Sequence, residues 1–173
     1  QWELSKTREI PEIDRLIPWF REKTPQDDTV SIVHGDYRVG NMIIDADKPQ
    51  VNAVLDWELS TLGHPMADLA HTVCLWFIRP NEYGGLYGCD LPALGIPGPR
   101  EFVELYNETS GRTEMLTAFH LTFAIVRMAV IFEGIAARAK SGTASAENAA
   151  AVGRLAPAFA QRAAAFAAGD IDF

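Results

Sequence analysis

The chain has 173 residues, of which 48% are apolar and 22% charged, and its formal net charge is −8. This length and composition suit one globular domain with a substantial buried core. The acidic balance argues against a general nucleic-acid or anionic-membrane surface, because either would need a basic patch. We therefore expect neither nucleic acid nor membrane as a partner.

The cysteines and the apolar runs bear on the compartment. No uninterrupted apolar run is long enough to cross a bilayer, and no signal peptide is recognisable. The two cysteines, Cys74 and Cys89, match no metal or redox spacing, so free thiols in a reducing environment are expected. We expect a cytoplasmic protein, and the sequence leaves its oligomeric state unknown.

Hydrophobic periodicity predicts a mainly helical chain with a few short strands. Helices are predicted over residues 2–23 with a break near Pro11, and over 65–77, 100–109, 114–140 and 146–168, the last bent at Pro157. Strands are predicted over 29–33, 42–44 and 51–55. Residues 57–64 and 78–99 are predicted to be loops, and a loop as long as the second is more often functional than idle.

Residues 31–58 hold the most informative pattern. An apolar run leads into His34-Gly35-Asp36, Asn41 follows five residues after the aspartate, and a second apolar run ends on Asp56. The turn composition of residues 45–49 favours a hairpin between the two predicted strands. The strand ends at Asn41 and Asp56 would then return to the same edge of a small sheet.

This order of groups is the one that kinase-type phosphoryl transfer needs. Asp36 is the candidate base, which accepts the proton of an attacking hydroxyl and orients it. Asn41 and Asp56 are candidate ligands of Mg²⁺, which prefers oxygen and takes the rest of its shell from phosphates and water. Taken singly, each residue could be a turn or strand-end residue, but their occurrence together at these spacings favours a catalytic and metal-binding role. For Glu58, a place in the metal shell and a surface position are equally open.

Five other residues are candidates for supporting roles. His34 is expected to brace the loop rather than to act in catalysis. Asp68 lies in the first turn of a predicted helix, where the helix dipole favours a carboxylate, and it either caps that helix or ties the catalytic loop down. Arg38, Tyr83 and Tyr87 are candidates for substrate binding. Solvated charge is the alternative for Arg38, and the tyrosines fall in the long predicted loop.

Three motifs, H-G-D-x-x-x-x-N, V-L-D-W-E and G-H-P-M-A-D-L-A, resemble those of the aminoglycoside phosphotransferase/choline kinase superfamily. The run W-E-L-S-T-L-G-H-P is particularly similar to the branch related to the kinase domains of acyl-CoA dehydrogenase family members 10 and 11. The resemblance implies a protein-kinase-like fold, which is α+β, mainly helical, with a small β-hairpin sheet carrying the site. It also implies ATP as co-substrate, Mg²⁺ as cofactor and transfer of the γ-phosphate to a hydroxyl of a small molecule. A hydroxy acid or its thioester is the expected acceptor, and an antibiotic is less favoured.

Carried over by position, the resemblance makes Asp36 the catalytic base, Asn41 and Asp56 the metal ligands and Asp68 the aspartate that steadies the catalytic loop. The chain departs from the family before residue 31, where it has no glycine and therefore no Gly-rich loop to cover the phosphates. It thus resembles the C-terminal lobe alone. A chain that starts at Gln1, within helical sequence, is expected to be a fragment or a processed chain.

The resemblance also divides the chain. Residues 1–28 are expected to be a linker and helical segment, and residues 29–173 the catalytic lobe. Within the lobe, the catalytic loop and metal-binding hairpin occupy 29–64 and a helical subdomain occupies 65–173. Such a lobe is expected to be inactive alone, because positioning supplies most of the catalysis in phosphoryl transfer.

Two other function classes compete with a kinase. A kinase-like lobe could bind a ligand or partner without turnover. A metal-dependent phosphoesterase could use the same carboxylates, and it would release phosphate without an acceptor alcohol.

Overall fold

A computed structural model describes residues 2–144 and 148–173. The helices are α1 (Trp2–Ser5), α2 (Pro11–Lys23), α3 (Met66–Val73), α4 (Pro80–Tyr83), α5 (Leu91–Leu94), α6 (Pro99–Ser110), α7 (Ala118–Lys140), α8 (Ala149–Gly153) and α9 (Ala156–Ala168). The strands are β1 (Ser31–Val33), β2 (Met42–Ile44), β3 (Val51–Val54) and β4 (Thr61–Gly63), and short 3₁₀ turns cover Val39–Asn41, Trp57–Leu59 and Cys74–Phe77. The fold is therefore α+β and mainly helical, as predicted.

The chain divides into two compact units, one of Gln1–Pro25 with Thr117–Phe173 and one of Gln26–Leu116. The first unit is helical, and the second holds all of the described strands. The functional division at residue 28, and that at residue 64, stay predictions.

Two antiparallel strand pairs form the framework of the second unit. The hairpin of β2 and β3 pairs Met42 with Val54, as the turn composition predicted. The second pair joins β1 to β4, with Val33 opposite Thr61. Strand β4 was not predicted, because a three-residue strand has no room for an alternating pattern and its partner lies about thirty residues away. The prediction of a loop over 57–64 was therefore wrong.

The predicted loop over 78–99 holds two one-turn helices, α4 and α5. Each has proline in its first turn and ends at a glycine in the left-handed region, Gly84 and Gly95, both with φ 67°. Proline needs no N–H partner at a helix start, and glycine adopts positive φ without a Cβ penalty, so these residues delimit single turns. The prediction that this stretch has no regular structure was wrong.

The C-terminal helix also differs from the prediction. A single helix over 146–168, bent at Pro157, was expected, but the described part is two helices, α8 and α9. Pro157 stands in the first turn of α9, where its missing N–H costs no helical hydrogen bond, so the chain breaks before it instead of bending. The predicted start at residue 146 lies outside the described residues.

The helical unit is built on α7, which packs against α8 and α9. A Cβ added at Gly153 would stand 2.7 Å from the Cβ of Ala136, so only small residues allow this approach of α8 to α7. By length and composition α7 could cross a membrane, but 56% of its most apolar window is buried inside the protein. A core helix that packs against neighbouring helices passes the same test of length and composition.

A buried carboxylate on α7 holds the segment between α1 and α2. Glu133 is fully buried, and its Oε1 accepts hydrogen bonds from the Thr7 backbone N–H at 2.7 Å and the Thr7 hydroxyl at 2.6 Å. The Arg8 Nε lies 3.2 Å from its Oε2. A buried charge is costly unless it is paired and hydrogen-bonded, so these contacts fix the path of residues 7–8.

We predict that Gly35→Ala destabilises the protein more than Gly88→Ala. Both glycines have positive φ, 85° and 84°, so both alanines meet the same backbone strain. An added Cβ at Gly35 would stand 2.7 Å from the Leu59 carbonyl oxygen, whereas none of the described atoms lies within 4 Å of one at Gly88. The difference in unfolding free energy, from urea denaturation, should be about 1–3 kcal/mol. Equal losses of unfolding free energy in the two variants would show that Leu59 does not confine the chain at Gly35.

Candidate active site

The segment 34–37 follows β1 directly and is held by the first turn of α3. The carboxylate of Asp68 accepts a hydrogen bond from the backbone N–H of His34 through Oδ2, and another, at 2.9 Å, from that of Gly35 through Oδ1. Asp68 thus satisfies two consecutive N–H groups of a turn that has no ladder partner for them. The charge of the carboxylate strengthens both bonds.

His34 joins this loop to the hairpin of β2 and β3. Its side chain is 2% exposed, and its Nε2 donates to the Leu55 carbonyl oxygen at 2.7 Å. Its Nδ1 accepts from the Asp36 backbone N–H at 3.2 Å, which requires that the proton of the ring sit on Nε2. The ring also lies 4.8 Å from that of Trp57. These contacts are those of a bracing residue.

The carboxylate of Asp36 lies at the centre of the site and is 29% exposed. Its Oδ2 accepts from Asn41 Nδ2 at 2.9 Å and from Arg38 Nε at 3.1 Å. Its Oδ1 lies 3.3 Å from His71 Nε2. Arg38 is therefore paired with the candidate base, although its side chain is also exposed to solvent. The sequence reading did not include His71 in the site.

The surroundings of Asp36 favour its ionised form. Burial by itself raises the pKa of Asp36, but hydrogen bonds from Arg38 and Asn41, together with the charges of Arg38 and His71, outweigh it and lower the pKa. The carboxylate is therefore ionised at neutral pH. An ionised carboxylate can accept a hydrogen bond from an incoming hydroxyl.

The hairpin brings the two candidate metal ligands to one edge. The Leu55 N–H donates to the Asn41 carbonyl oxygen at 2.8 Å, so Asp56 follows immediately at the same end of the ladder. The Asn41 Nδ2 also donates to the Asp36 carbonyl oxygen at 2.9 Å, which leaves the amide oxygen of Asn41 as the atom available to a cation. Glu58 is exposed in the following 3₁₀ turn.

Asp56 has an unusual backbone. Its φ is 65°, and it is the single non-glycine residue with positive φ among residues 2–144 and 148–173. Aspartate tolerates this conformation better than most residues, but left-handed backbone still concentrates at functional sites. No cluster of three or more His, Cys, Asp or Glu that could hold a metal occurs in the described part of the chain. Asn41 and Asp56 instead offer two oxygen donors, the number and type that Mg²⁺ takes from protein beside a nucleotide.

The remaining candidates, Tyr83 and Tyr87, lie on the segment around α4. Their side chains are 40% and 53% exposed, and the Tyr87 ring lies 5.5 Å from the guanidinium of Arg79. Their part in substrate binding stays a prediction.

A cavity of about 630 Å³ lies on the side of the loop that faces α6. Its wall includes Tyr37 and Asp68 and, from α6, Phe102, Leu105 and Tyr106. Its wall also includes Thr72, whose hydroxyl donates to the Tyr37 carbonyl oxygen at 3.2 Å. The sequence reading missed Thr72 as well as His71, although both follow Asp68 at the i+3 and i+4 spacing that shares one helix face.

Comparison with known proteins agrees with this geometry. The sequence model of the Phosphotransferase enzyme family matches residues 1–99. A chain from Ralstonia eutropha JMP134, whose crystal structure bears the name "putative aminoglycoside phosphotransferase", superposes with a TM-score of 0.91 at 41% identity, over 97% of this chain and 52% of that chain.

Curated relatives match most of the chain. Acyl-CoA dehydrogenase family member 10 of Mus musculus is 37% identical over 171 residues, which is 96% of this chain but 16% of the relative. Acyl-CoA dehydrogenase family member 11 of Homo sapiens is 32% identical over 154 residues, 86% of this chain and 19% of the relative. The chain thus spans less than a fifth of each. With more than half of its residues matched by the family model, the chain belongs to the phosphotransferase enzyme family, and its fold is aminoglycoside phosphotransferase-like.

Proposed function

We propose that this chain carries the catalytic loop and the metal-binding hairpin of an ATP- and Mg²⁺-dependent phosphotransferase that acts on a hydroxyl of a small molecule. The observation that carries the proposal is the setting of Asp36. Its carboxylate is ionised, partly exposed and held by Asn41. Asn41 immediately precedes β2, and its carbonyl oxygen accepts from the N–H of Leu55, the residue before Asp56.

In the proposed reaction Asp36 receives the acceptor. The acceptor oxygen forms its bond to the γ-phosphorus while the bond between that phosphorus and the β,γ-bridging oxygen breaks, and ADP leaves. The proton of the acceptor hydroxyl passes to the Asp36 carboxylate. The main contribution of Asp36 to the rate is to orient the hydroxyl, because the transition state of phosphoryl transfer is loose and gains little from a strong base.

Asn41 and Asp56 would hold Mg²⁺ on the nucleotide phosphates, with Glu58 nearby in the chain. The cation supplies charge that offsets the phosphate oxygens. Asn41 links this edge to the base, since its amide nitrogen is bound to Asp36 while its oxygen is left for the cation. The protein side of the site is thus one connected set of hydrogen bonds.

We further propose that the groups that cover the nucleotide lie outside these residues and that the chain is inactive alone. Residues 1–30 include no glycine, so they hold no Gly-rich phosphate loop. The R. eutropha chain is about twice as long as the matched region. Turnover is therefore to be sought in the full-length protein. The names of the curated relatives support an acceptor of acyl type, a hydroxy acid or its thioester.

We predict that Asp36→Asn in the full-length protein lowers kcat by about 100-fold or more with little change in the KM for ATP, because the acceptor hydroxyl loses its proton acceptor. Asp47→Asn is the matched control, since Asp47 is an exposed aspartate in the turn of the same hairpin. The assay is phosphorylation of 3-hydroxybutyrate and its coenzyme A thioester by ATP and Mg²⁺, followed by mass spectrometry. Phosphate release that needs no acceptor and survives Asp36→Asn would instead indicate a phosphoesterase.

We predict opposite effects of Asp56→Gly on stability and activity. Glycine relieves the left-handed backbone at φ 65°, so the unfolding free energy should stay equal or rise by about 1 kcal/mol. Loss of the carboxylate should lower Mg²⁺-dependent turnover by about 100-fold or more. Thermal unfolding and the same transfer assay measure the two effects, and Asp56→Ala, which keeps the strain, is the control. A fully active Asp56→Gly variant would exclude Asp56 as a ligand.

A further inference from the structure

We infer that His71 is a positioning residue that fixes the Asp36 carboxylate through Oδ1, the oxygen that Asn41 and Arg38 leave for the acceptor hydroxyl. This inference rests on the proposed phosphotransferase function. It concerns a residue of α3 that lies outside the motif around Asp36 and Asn41.

The first observation is the face that α3 turns to the loop. Asp68 accepts the N–H groups of residues 34 and 35, His71 reaches the carboxylate of Asp36, and Thr72 donates to the carbonyl of residue 37. The three side chains stand at i, i+3 and i+4, the spacing that places side chains on one side of a helix. Side chains on one face of α3 thus contact four consecutive loop residues, 34–37. Among them, His71 is the one that contacts the Asp36 carboxylate.

The second observation is that the two oxygens of the Asp36 carboxylate have different partners. Oδ2 of Asp36 accepts from both Asn41 and Arg38, at 2.9 and 3.1 Å, so both of its lone-pair directions are used. Oδ1 of Asp36 lies 3.3 Å from His71 Nε2, its polar side-chain contact among residues 2–144 and 148–173. Oδ1 therefore keeps one lone pair for a hydroxyl. The acceptor and His71 share this oxygen.

The contact also restrains rotation. The terminal torsion of an aspartate is broad, so a carboxylate held on one oxygen alone can swing about its Cβ–Cγ bond. His71 is 12% exposed on a helix that is itself tied to the loop, so it holds the second oxygen from a fixed point. Small misplacement of a reacting group lowers the rate of transfer far more than it lowers binding.

The kinetic test compares His71→Leu with His71→Gln in the full-length protein. His71→Leu should lower kcat for ATP- and Mg²⁺-dependent phosphorylation of 3-hydroxybutyrate, or its coenzyme A thioester, by about 10- to 100-fold with little change in the KM for ATP. His71→Gln, whose amide can donate where Nε2 does, should recover most of that loss. His64→Leu is the control, because it removes another histidine–aspartate contact, His64 to Asp27 at 3.1 Å, that does not involve Asp36. It also removes the hydrogen bond from the Met66 N–H at the start of α3, so it reports any general loosening of that helix.

A second measurement does not depend on turnover. His71 contributes to the lowered pKa of Asp36, so His71→Leu should raise that pKa towards the ordinary aspartate value, while His64→Leu should not. Carboxyl ¹³C NMR titration measures it, with Asp36→Asn identifying the resonance. Lost transfer in His71→Leu with recovery in His71→Gln, together with the raised pKa, would support the inference.

One outcome would overturn the role of His71, and a different one would overturn the proposed acceptor class. If the wild-type protein transfers phosphate but His71→Leu equals it in kcat and in the pKa of Asp36, His71 does not position the base. If the wild-type protein transfers no phosphate to either probe, the proposed acceptor class fails. A pKa of Asp36 that His71→Leu leaves unchanged would then still overturn the contact between His71 and the carboxylate.

Discussion

The site depends on the carboxylate of Asp68, which accepts hydrogen bonds from the consecutive N–H groups of His34 and Gly35. A loop that leaves a strand and reverses direction has N–H groups without ladder partners, and leaving such a group unsatisfied when buried costs about 1–3 kcal/mol. A charged acceptor on a helix satisfies both at once. It also fixes the loop to a rigid element, which a solvent partner would not do. The place of Asp36 follows from this anchor.

Around that anchor the loop is held from three sides. β1 pairs with β4 and fixes where the loop begins, while the Leu59 carbonyl stands close enough to Gly35 to exclude a side chain. His34 reaches across to the Leu55 carbonyl at the end of β3. The edge that carries Asn41 and Asp56 and the Asp36 carboxylate therefore share one framework. Their relative position is set by hydrogen bonds that the side chains of His34 and Asp68 make with backbone groups.

The parts that sequence predicted are those encoded locally. The hairpin joining Asn41 to Asp56 follows from a turn composition within fifteen residues, and helix α6 ends where Gly111 adopts a positive φ of 68°. The parts that it missed depend on distant pairing. β4 is a strand only because β1 lies beside it, and His71 is part of the site only because α3 returns to the loop. The three residues of β4 carry no pattern that marks the pairing, and the local sign for His71 is that it follows Asp68 by about one helical turn.

The lowered pKa of Asp36 has a consequence for the proposed phosphoryl transfer. Arg38, Asn41 and His71 stabilise the carboxylate anion, which makes it a weaker base than an isolated aspartate. A site that needed to remove a proton before bond formation would be harmed by those contacts. A loose phosphoryl transfer is not, because the hydroxyl becomes acidic only as its oxygen bonds to phosphorus. What such a reaction requires of the carboxylate is a fixed direction, and every contact that weakens the base also fixes it.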